Sequence, residues 1–101
     1  MKYLRVRWLH ENSNDPVTLC SEIDEDGWEK RKIEIFAGGR MGFAPPGNEG
    51  LRTTLSIEPI PPIDEIGQDS QFQTSWIAKE EFEALWMNHP EPTKGELNRI
   101  D

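Results

Sequence analysis

WEKRKIEIFAGGRMGFA, residues 28–44, is the stretch whose reading decides the fold. From Trp28 to Phe36 it is rich in β-branched and aromatic residues, it stops at Gly38-Gly39, and RMGFA (40–44) then returns as a second, shorter extended run. A glycine pair between two such runs predicts a β-hairpin. Working outward toward the N-terminus, Asp26-Gly27 marks another tight turn, and VTLCSEID (17–24) alternates Val17, Leu19 and Ile23 with Thr18, Cys20 and Glu22. KYLRVRWL (2–9) alternates in the same way, Leu4, Val6 and Trp8 against Tyr3, Arg5 and Arg7, and HENSNDP supplies the turn formers between the two. Four strands with short links predict an antiparallel meander.

Toward the C-terminus, APPGNEG (44–50) reads as a loop and RTTLSI (52–57) as a fifth strand with Thr53, Leu55 and Ile57 on one side. EPIPPIDEIGQD (58–69) cannot lie within a sheet, because Pro59, Pro61 and Pro62 lack amide donors; an extended crossing with one helical turn at 63–66 is expected. AKEEFEALWM (78–87) is the clearest helix, with Phe82, Leu85 and Trp86 at helical spacing, acid in its first turn and a stop at His89-Pro90. Ile77 and Phe82 are spaced as a hydrophobic staple about Ala78, whose side chain offers no capping oxygen. The expected fold class is therefore α+β: an antiparallel meander sheet of four to five strands covered on one face by a C-terminal helix. A single domain over 1–89 is followed by a polar tail over 90–101 that is expected to be flexible.

Strand parity sets expectations for the surface. If Ile33 and Ile35 look toward the helix, Lys30 and Lys32 look away from it; the same logic turns Tyr3, Arg5 and Arg7 outward on the first strand and Thr18, Cys20 and Glu22 outward on the second. Cations would then interleave with Glu22 and Glu34 on an open face. Cross-strand pairs of that kind contribute only about 0.2–1 kcal/mol each, yet they explain why the cations are there.

A domain of 101 residues buries only roughly 60–65% of the surface its unfolded chain exposes. Its core is thin, and four tryptophans and four phenylalanines are what fill it. Cys20 is the sole cysteine, so no intramolecular disulfide forms and a reducing, cytoplasmic setting is expected. MKYLRVRWLH lacks the apolar segment of a signal peptide, and no run approaches the ~18 apolar residues of a membrane span.

Charge narrows the function classes. Residues 1–44 hold seven Lys/Arg against eight Asp/Glu, whereas residues 45–101 hold four against eleven, within a formal net charge of −8. A field of this sign repels nucleic acid and steers a basic macromolecule inward. Carboxylates at Glu58, Asp64, Glu65, Asp69, Glu80, Glu81 and Glu83, with Trp28 and Tyr3 as aromatic anchors, form the expected partner-binding set. An alternative uses the open sheet face: Arg5, Arg7, Lys30 and Lys32 beside Tyr3 and Trp28 have the chemistry of a platform for single-stranded nucleic acid. A third reading, a small hydrolase using His10 with Glu11 or Cys20, is the weakest, since neighbours on a strand point to opposite faces. His89 reads as a helix stop. Neither a metal set, a phosphate loop nor a cofactor motif is found in the spacing of His, Cys, Asp and Gly, so no cofactor is expected.

Taken in order, KYLRVRWLH, SEID, EKRKIEIFAGGRMGFA, the PIPPIDEI run and EEFEALW resemble a family of small uncharacterised bacterial proteins over about residues 1–87. That family shares a pattern of K-Y-x-R-V-x-W-x-H, S-E-x-D, R-K-x-E-x-F-x-G-R-x-G and E-F-E-x-x-W. Cys20 stands where the pattern implies an aromatic residue, and Ala78 where it implies a serine cap. As a domain of unknown function it implies no site residues. By analogy of size, charge and origin, an immunity protein that blocks a basic nuclease toxin is the expected role, without enzymatic activity.

Overall fold

The computed structural model describes residues 1–45 and 53–88. Strands β1 (Lys2–Trp8), β2 (Thr18–Ile23), β3 (Glu29–Ile35) and β4 (Met41–Ala44) follow one another as the alternation predicts. A short helix α1 (Ile63–Ile66), a strand β5 (Phe72–Trp76) and a helix α2 (Lys79–Trp86) complete the described chain. The sheet order is β4-β3-β2-β1-β5, with every neighbouring pair antiparallel. The fold is thus α+β.

Two glycines make the hairpins possible. Gly27 and Gly39 both adopt φ of 91°, a conformation that costs glycine little and other residues much. At the first hairpin the Asp24 carboxylate fastens the turn, accepting from the amides of Asp26 and Trp28 at 2.9 Å each. Next to this turn the β2–β3 ladder slips at Glu22/Ile23, so that Ile23 faces Glu29 and Lys30 becomes the extra residue of a bulge.

The fifth strand is not where the sequence suggested. Residues 53–57 form no strand; their backbone is held by side chains of β3 instead of a ladder. The Lys32 ammonium donates to the Thr54 carbonyl at 2.8 Å, the Ser56 amide to Glu29 at 2.8 Å, and Thr53 Oγ1 to Glu34 at 2.8 Å. The edge position is taken by Phe72–Trp76, which pairs with β1 in the register Leu4–Trp76, Val6–Thr74, Trp8–Phe72. The helical turn falls at Ile63–Ile66 as expected. The expected tail over 90–101 and the stop at His89 lie outside the described residues.

The two faces are also distributed differently from the expectation. Register places Tyr3 opposite Glu22, Arg5 opposite Cys20, Cys20 opposite Ile33, and Ile33 opposite Phe43, so these residues share one side of the sheet. That is the side on which α2 seats Phe82: Tyr3, Cys20, Ile33 and Phe82 form the buried cluster, with Ile35, Phe43, Ile77, Leu85 and Trp86 packed around it. Tyr3, Cys20 and Glu22 therefore face inward beneath the helix, not outward. At eight residues, about 12 Å long, α2 anchors at this cluster and does not roof the whole sheet. Leu4 and Ile23 are buried on the opposite side, against which the stretch around Ile60 and Ile63 lies. Both faces of the sheet bury apolar side chains. Period-two alternation names the residues that travel together but not which set meets the helix, and here the set containing a tyrosine, a cysteine and an arginine stem does so.

Candidate functional site

Of the three consecutive cations in β3, each has a different environment. Arg31 lies on the α2 side and is the centre of the most connected side-chain group among the described residues. Its Nε and Nη2 donate to the two oxygens of Glu22 at 2.9 and 2.7 Å, and its Nη1 and Nη2 donate to those of Glu83 at 3.0 and 2.8 Å. The same guanidinium sits over the rings of Phe82 and Trp86, 4.9 and 4.8 Å from their centroids. Only arginine combines two bidentate forks with stacking in this way. Tyr3 adds its hydroxyl to Glu22 Oε2 at 2.9 Å, and its ring meets Phe82 at 5.1 Å.

Electrostatics follow the geometry. The hydrogen bonds from Arg31, with the Tyr3 hydroxyl assisting, hold the Glu22 carboxyl below the usual carboxylate range against the opposing effect of its burial, and Arg31 lowers Glu83 in the same way. Burial, then the bond to anionic Glu22, pushes the Tyr3 phenol up. This group fastens α2 to β1, β2 and β3. Glu83 and Tyr3, expected as partner-facing residues, are committed to it, and Tyr3 is 6% exposed. Glu81, from the same expected set, is bonded to Arg5 at 2.8 Å.

Lys32 points to the other side. Its ammonium lies 3.3 Å from Glu29, a buried carboxylate that also receives the Ser21 hydroxyl at 2.5 Å. Every oxygen of Glu29 is thus met by a donor, as a buried carboxylate requires. Lys30 is exposed and lies 3.8 Å from Asp24. The proposed nucleic-acid platform is not assembled: Arg5 belongs to the α2 side, Lys32 to the opposite one, and both are ion-paired. Arg7 is exposed and enters no ion pair among the described residues.

His10 and Cys20, from the hydrolase reading, are each engaged elsewhere. Among the described residues His10 bonds within its own loop, accepting the Asn12 amide on Nδ1 at 2.9 Å, which leaves the proton on Nε2 to be donated to the Pro16 carbonyl at 2.7 Å. Its ring also stands edge-on to Trp8 at 4.4 Å. Cys20 is fully buried beneath α2, where desolvation raises its thiol to about 11, far from the reactive range.

What the fold does bring together is acid that is distant in sequence. The Ile60 amide donates to the Gly27 carbonyl at 2.7 Å, tying the proline-rich crossing to the β2–β3 turn. Asp24, Glu25 and Asp26 of that turn thereby neighbour the segment carrying Glu58, Asp64 and Glu65. Between them lies a cleft with Leu4, Ile23, Ile60, Ile63 and Trp76 in its walls and Asp24 and Glu25 at its margin. Trp28, on the same hairpin, is 42% exposed. Glu58, Asp64, Glu65 and Glu80 are exposed and form no ion pair among the described residues, while Asp69 accepts the Gln71 amide within its turn at 2.9 Å. The 24–26 acids were not singled out from sequence, although their run was visible there. Their importance comes from the crossing that approaches them. Among the described residues, no group of three or more His, Cys, Asp or Glu is arranged to hold a metal ion, and no helix is long and apolar enough to cross a membrane.

An antiparallel five-stranded sheet with a helix anchored by a doubly bidentate arginine defines a small α+β domain. The chain belongs to the family described as Domain of unknown function (DUF6881), whose model matches residues 2–91. No curated protein and no solved structure matches it.

Proposed function

We propose that this protein is a non-enzymatic binding module for a basic protein, with the neutralisation of a cationic nuclease toxin by an immunity protein as the specific form. The observation that carries this reading is the meeting of Asp24, Glu25 and Asp26 with the 58–65 segment around an apolar cleft, beside exposed Trp28. Asp24 and Glu25 at the margin of an apolar depression, with exposed Glu58, Asp64 and Glu65 on the neighbouring segment in no ion pair among the described residues, suit a partner whose Lys or Arg side chains bury their stems and keep their charges at the rim. The partner surface on this reading is the β2–β3 turn with Glu58, Asp64 and Glu65; Glu81 and Glu83 serve the fold. Attraction of this kind raises association rates and weakens with salt.

The test is co-purification with a catalytically inactivated toxin domain encoded by the adjoining gene. Glu25→Lys with Asp64→Lys and Glu65→Lys is expected to slow association by at least about tenfold at low salt while leaving the circular dichroism unchanged. Failure of the toxin domain to bind, or binding indifferent to these reversals, removes the proposal.

A further inference from the structure

We infer that two copies of this chain pair through β5 about a twofold axis at Thr74, joining their sheets edge to edge. β5 is an outer strand, with β1 on one side and no strand on the other among the described residues. The Ile77 amide donates to the Tyr3 carbonyl at 2.8 Å, and the Gln71 carbonyl accepts from Leu9 at 2.7 Å, which fixes the odd-numbered residues as those bonded to β1. Alternation then turns the amides and carbonyls of Thr74 and Trp76 outward. The Phe72 amide is turned back onto the Asp69 carbonyl at 3.0 Å, leaving its carbonyl.

Edge strands are ordinarily blunted by charge, proline or a bulge. Phe72–Trp76, sequence FQTSW, carries none of these. The other edge, β4, is only four residues long and is bounded by Arg40 and Pro45.

The occupant is argued from the strand itself. FQTSW is symmetric in chemistry about Thr74: aromatic, polar, threonine, polar, aromatic. Antiparallel pairing with a second copy sets Thr74 against Thr74, Phe72 against Trp76 and Gln73 against Ser75. Threonine pairs and aromatic pairs are among the cross-strand combinations that stabilise sheets, and a twofold interface requires this self-complementarity. About four backbone hydrogen bonds result, two at the Thr74 pair and one at each aromatic pair.

Charge selects the direction. Lys2, whose ammonium lies 5.5 Å from the Trp76 ring centroid, and Lys79 line a cleft at the Trp76 end of β5, and neither enters an ion pair among the described residues. Asp69 stands at the Phe72 end. Antiparallel pairing brings the lysine end of one copy to the aspartate end of the other, whereas parallel pairing would set lysines against lysines.

Sedimentation velocity on the full chain, from about 10 µM to about 1 mM, is expected to move from monomer toward dimer as mass action requires. Thr74→Cys places a thiol on the axis, where opposed Cα atoms of a hydrogen-bonded pair lie about 5.5 Å apart, within disulfide range. Mild oxidation should cross-link it to its copy, and Lys30→Cys, exposed on β3, should not cross-link; buried Cys20 does not compete. Thr74→Pro removes an outward amide that the second copy would use and none that is bonded to β1, so it should weaken the dimer at least about tenfold with unchanged circular dichroism. A single monomeric species at the highest concentration overturns the proposal, as does a dimer that cross-links better through Lys30→Cys than through Thr74→Cys.

Discussion

Replacing Arg31 with methionine tests the claim that one guanidinium fastens α2 to the sheet. Methionine keeps much of the stem that packs against Phe82 and Trp86 but removes four hydrogen bonds, two to Glu22 and two to Glu83. The two carboxylates respond unequally. Glu83 has a side chain 39% exposed, so water takes over most of its solvation and its share of the loss is small. Glu22 has a side chain only 11% exposed and is left ionised beneath the helix, with the Tyr3 hydroxyl as its remaining donor. Removing one member of a buried ion pair costs about 3–5 kcal/mol, and the partly exposed Glu83 points to the lower end, about 3 kcal/mol. Against the roughly 5–15 kcal/mol that stabilises a domain, this is a large fraction, and at about 4–8 °C per kcal/mol it lowers the melting temperature by about 12–24 °C. Thermal unfolding followed by circular dichroism and urea titration gives the measurement. Adding Glu22→Gln to Arg31→Met removes the stranded charge and should recover part of the loss, about 1 kcal/mol or more. A cost below about 1 kcal/mol for Arg31→Met, or no recovery in the double variant, would refute the reasoning.

Acid stability should reflect the same group. The folded-state values of Glu22 and Glu83 are depressed, so their contribution is complete above the ordinary carboxylate value near ~4.3 and is lost as pH falls through the lower folded values. The urea midpoint should stay level from neutrality to about pH 5 and then fall, and Glu22→Gln should flatten that fall. Tyr3 works in the opposite sense: its folded value is raised, so its contribution is present below the ordinary value near ~10 and is lost as pH rises through the higher one, a loss that Tyr3→Phe should abolish. On the other face, a methyl group at Gly42 would run into Thr53 Oγ1, which is buried and bonded to Glu34. Gly42→Ala should therefore cost about 1–3 kcal/mol, and Thr53→Ala in the same chain should return part of it, both read from urea midpoints.

Much of this fold was legible because alternation is a local signal. Four of the five strands, the turns at Gly27 and Gly39, the helical turn at 63–66 and the span of α2 all follow from spacing and turn chemistry. β5 was missed because Phe72, Thr74 and Trp76 are separated by Gln and Ser in a strand of five residues, while RTTLSI offered a longer run of the same character. That run is held instead by Glu29, Lys32 and Glu34, contacts between residues some 19 to 27 positions apart that no local pattern encodes. The choice of face held on β3, where Ile33 and Ile35 meet the helix side, and failed on β1 and β2 for a related reason. Leu4, Val6 and Trp8 are more apolar than Tyr3, Arg5 and Arg7, but a sheet covered on both sides has no polar face to reject the second set. The bulge at Glu22/Ile23 compounds this, because it puts Glu29 opposite Ile23, where a regular ladder would put Lys30.

The distribution of ion pairs bears directly on where a basic partner would dock. Arg5, Arg31 and Lys32 are bonded to Glu81, Glu22, Glu83 and Glu29, so within the described chain much of the positive charge is spent on holding α2 and the 53–56 segment to the sheet. Of the expected partner-facing acids left without such partners, Glu80 is on α2, while Glu58, Asp64 and Glu65 are on the proline-rich crossing, next to the Asp24–Asp26 turn. A charge reversal on α2 at Glu83 would therefore weaken the fold as well as any interaction, and could not distinguish the two. Reversal on the crossing leaves the Arg31 group intact, so an effect on association there reports on the surface alone. Separating these two sets of carboxylates makes the binding proposal testable by mutation, and the separation rests on which oxygens accept from Arg31.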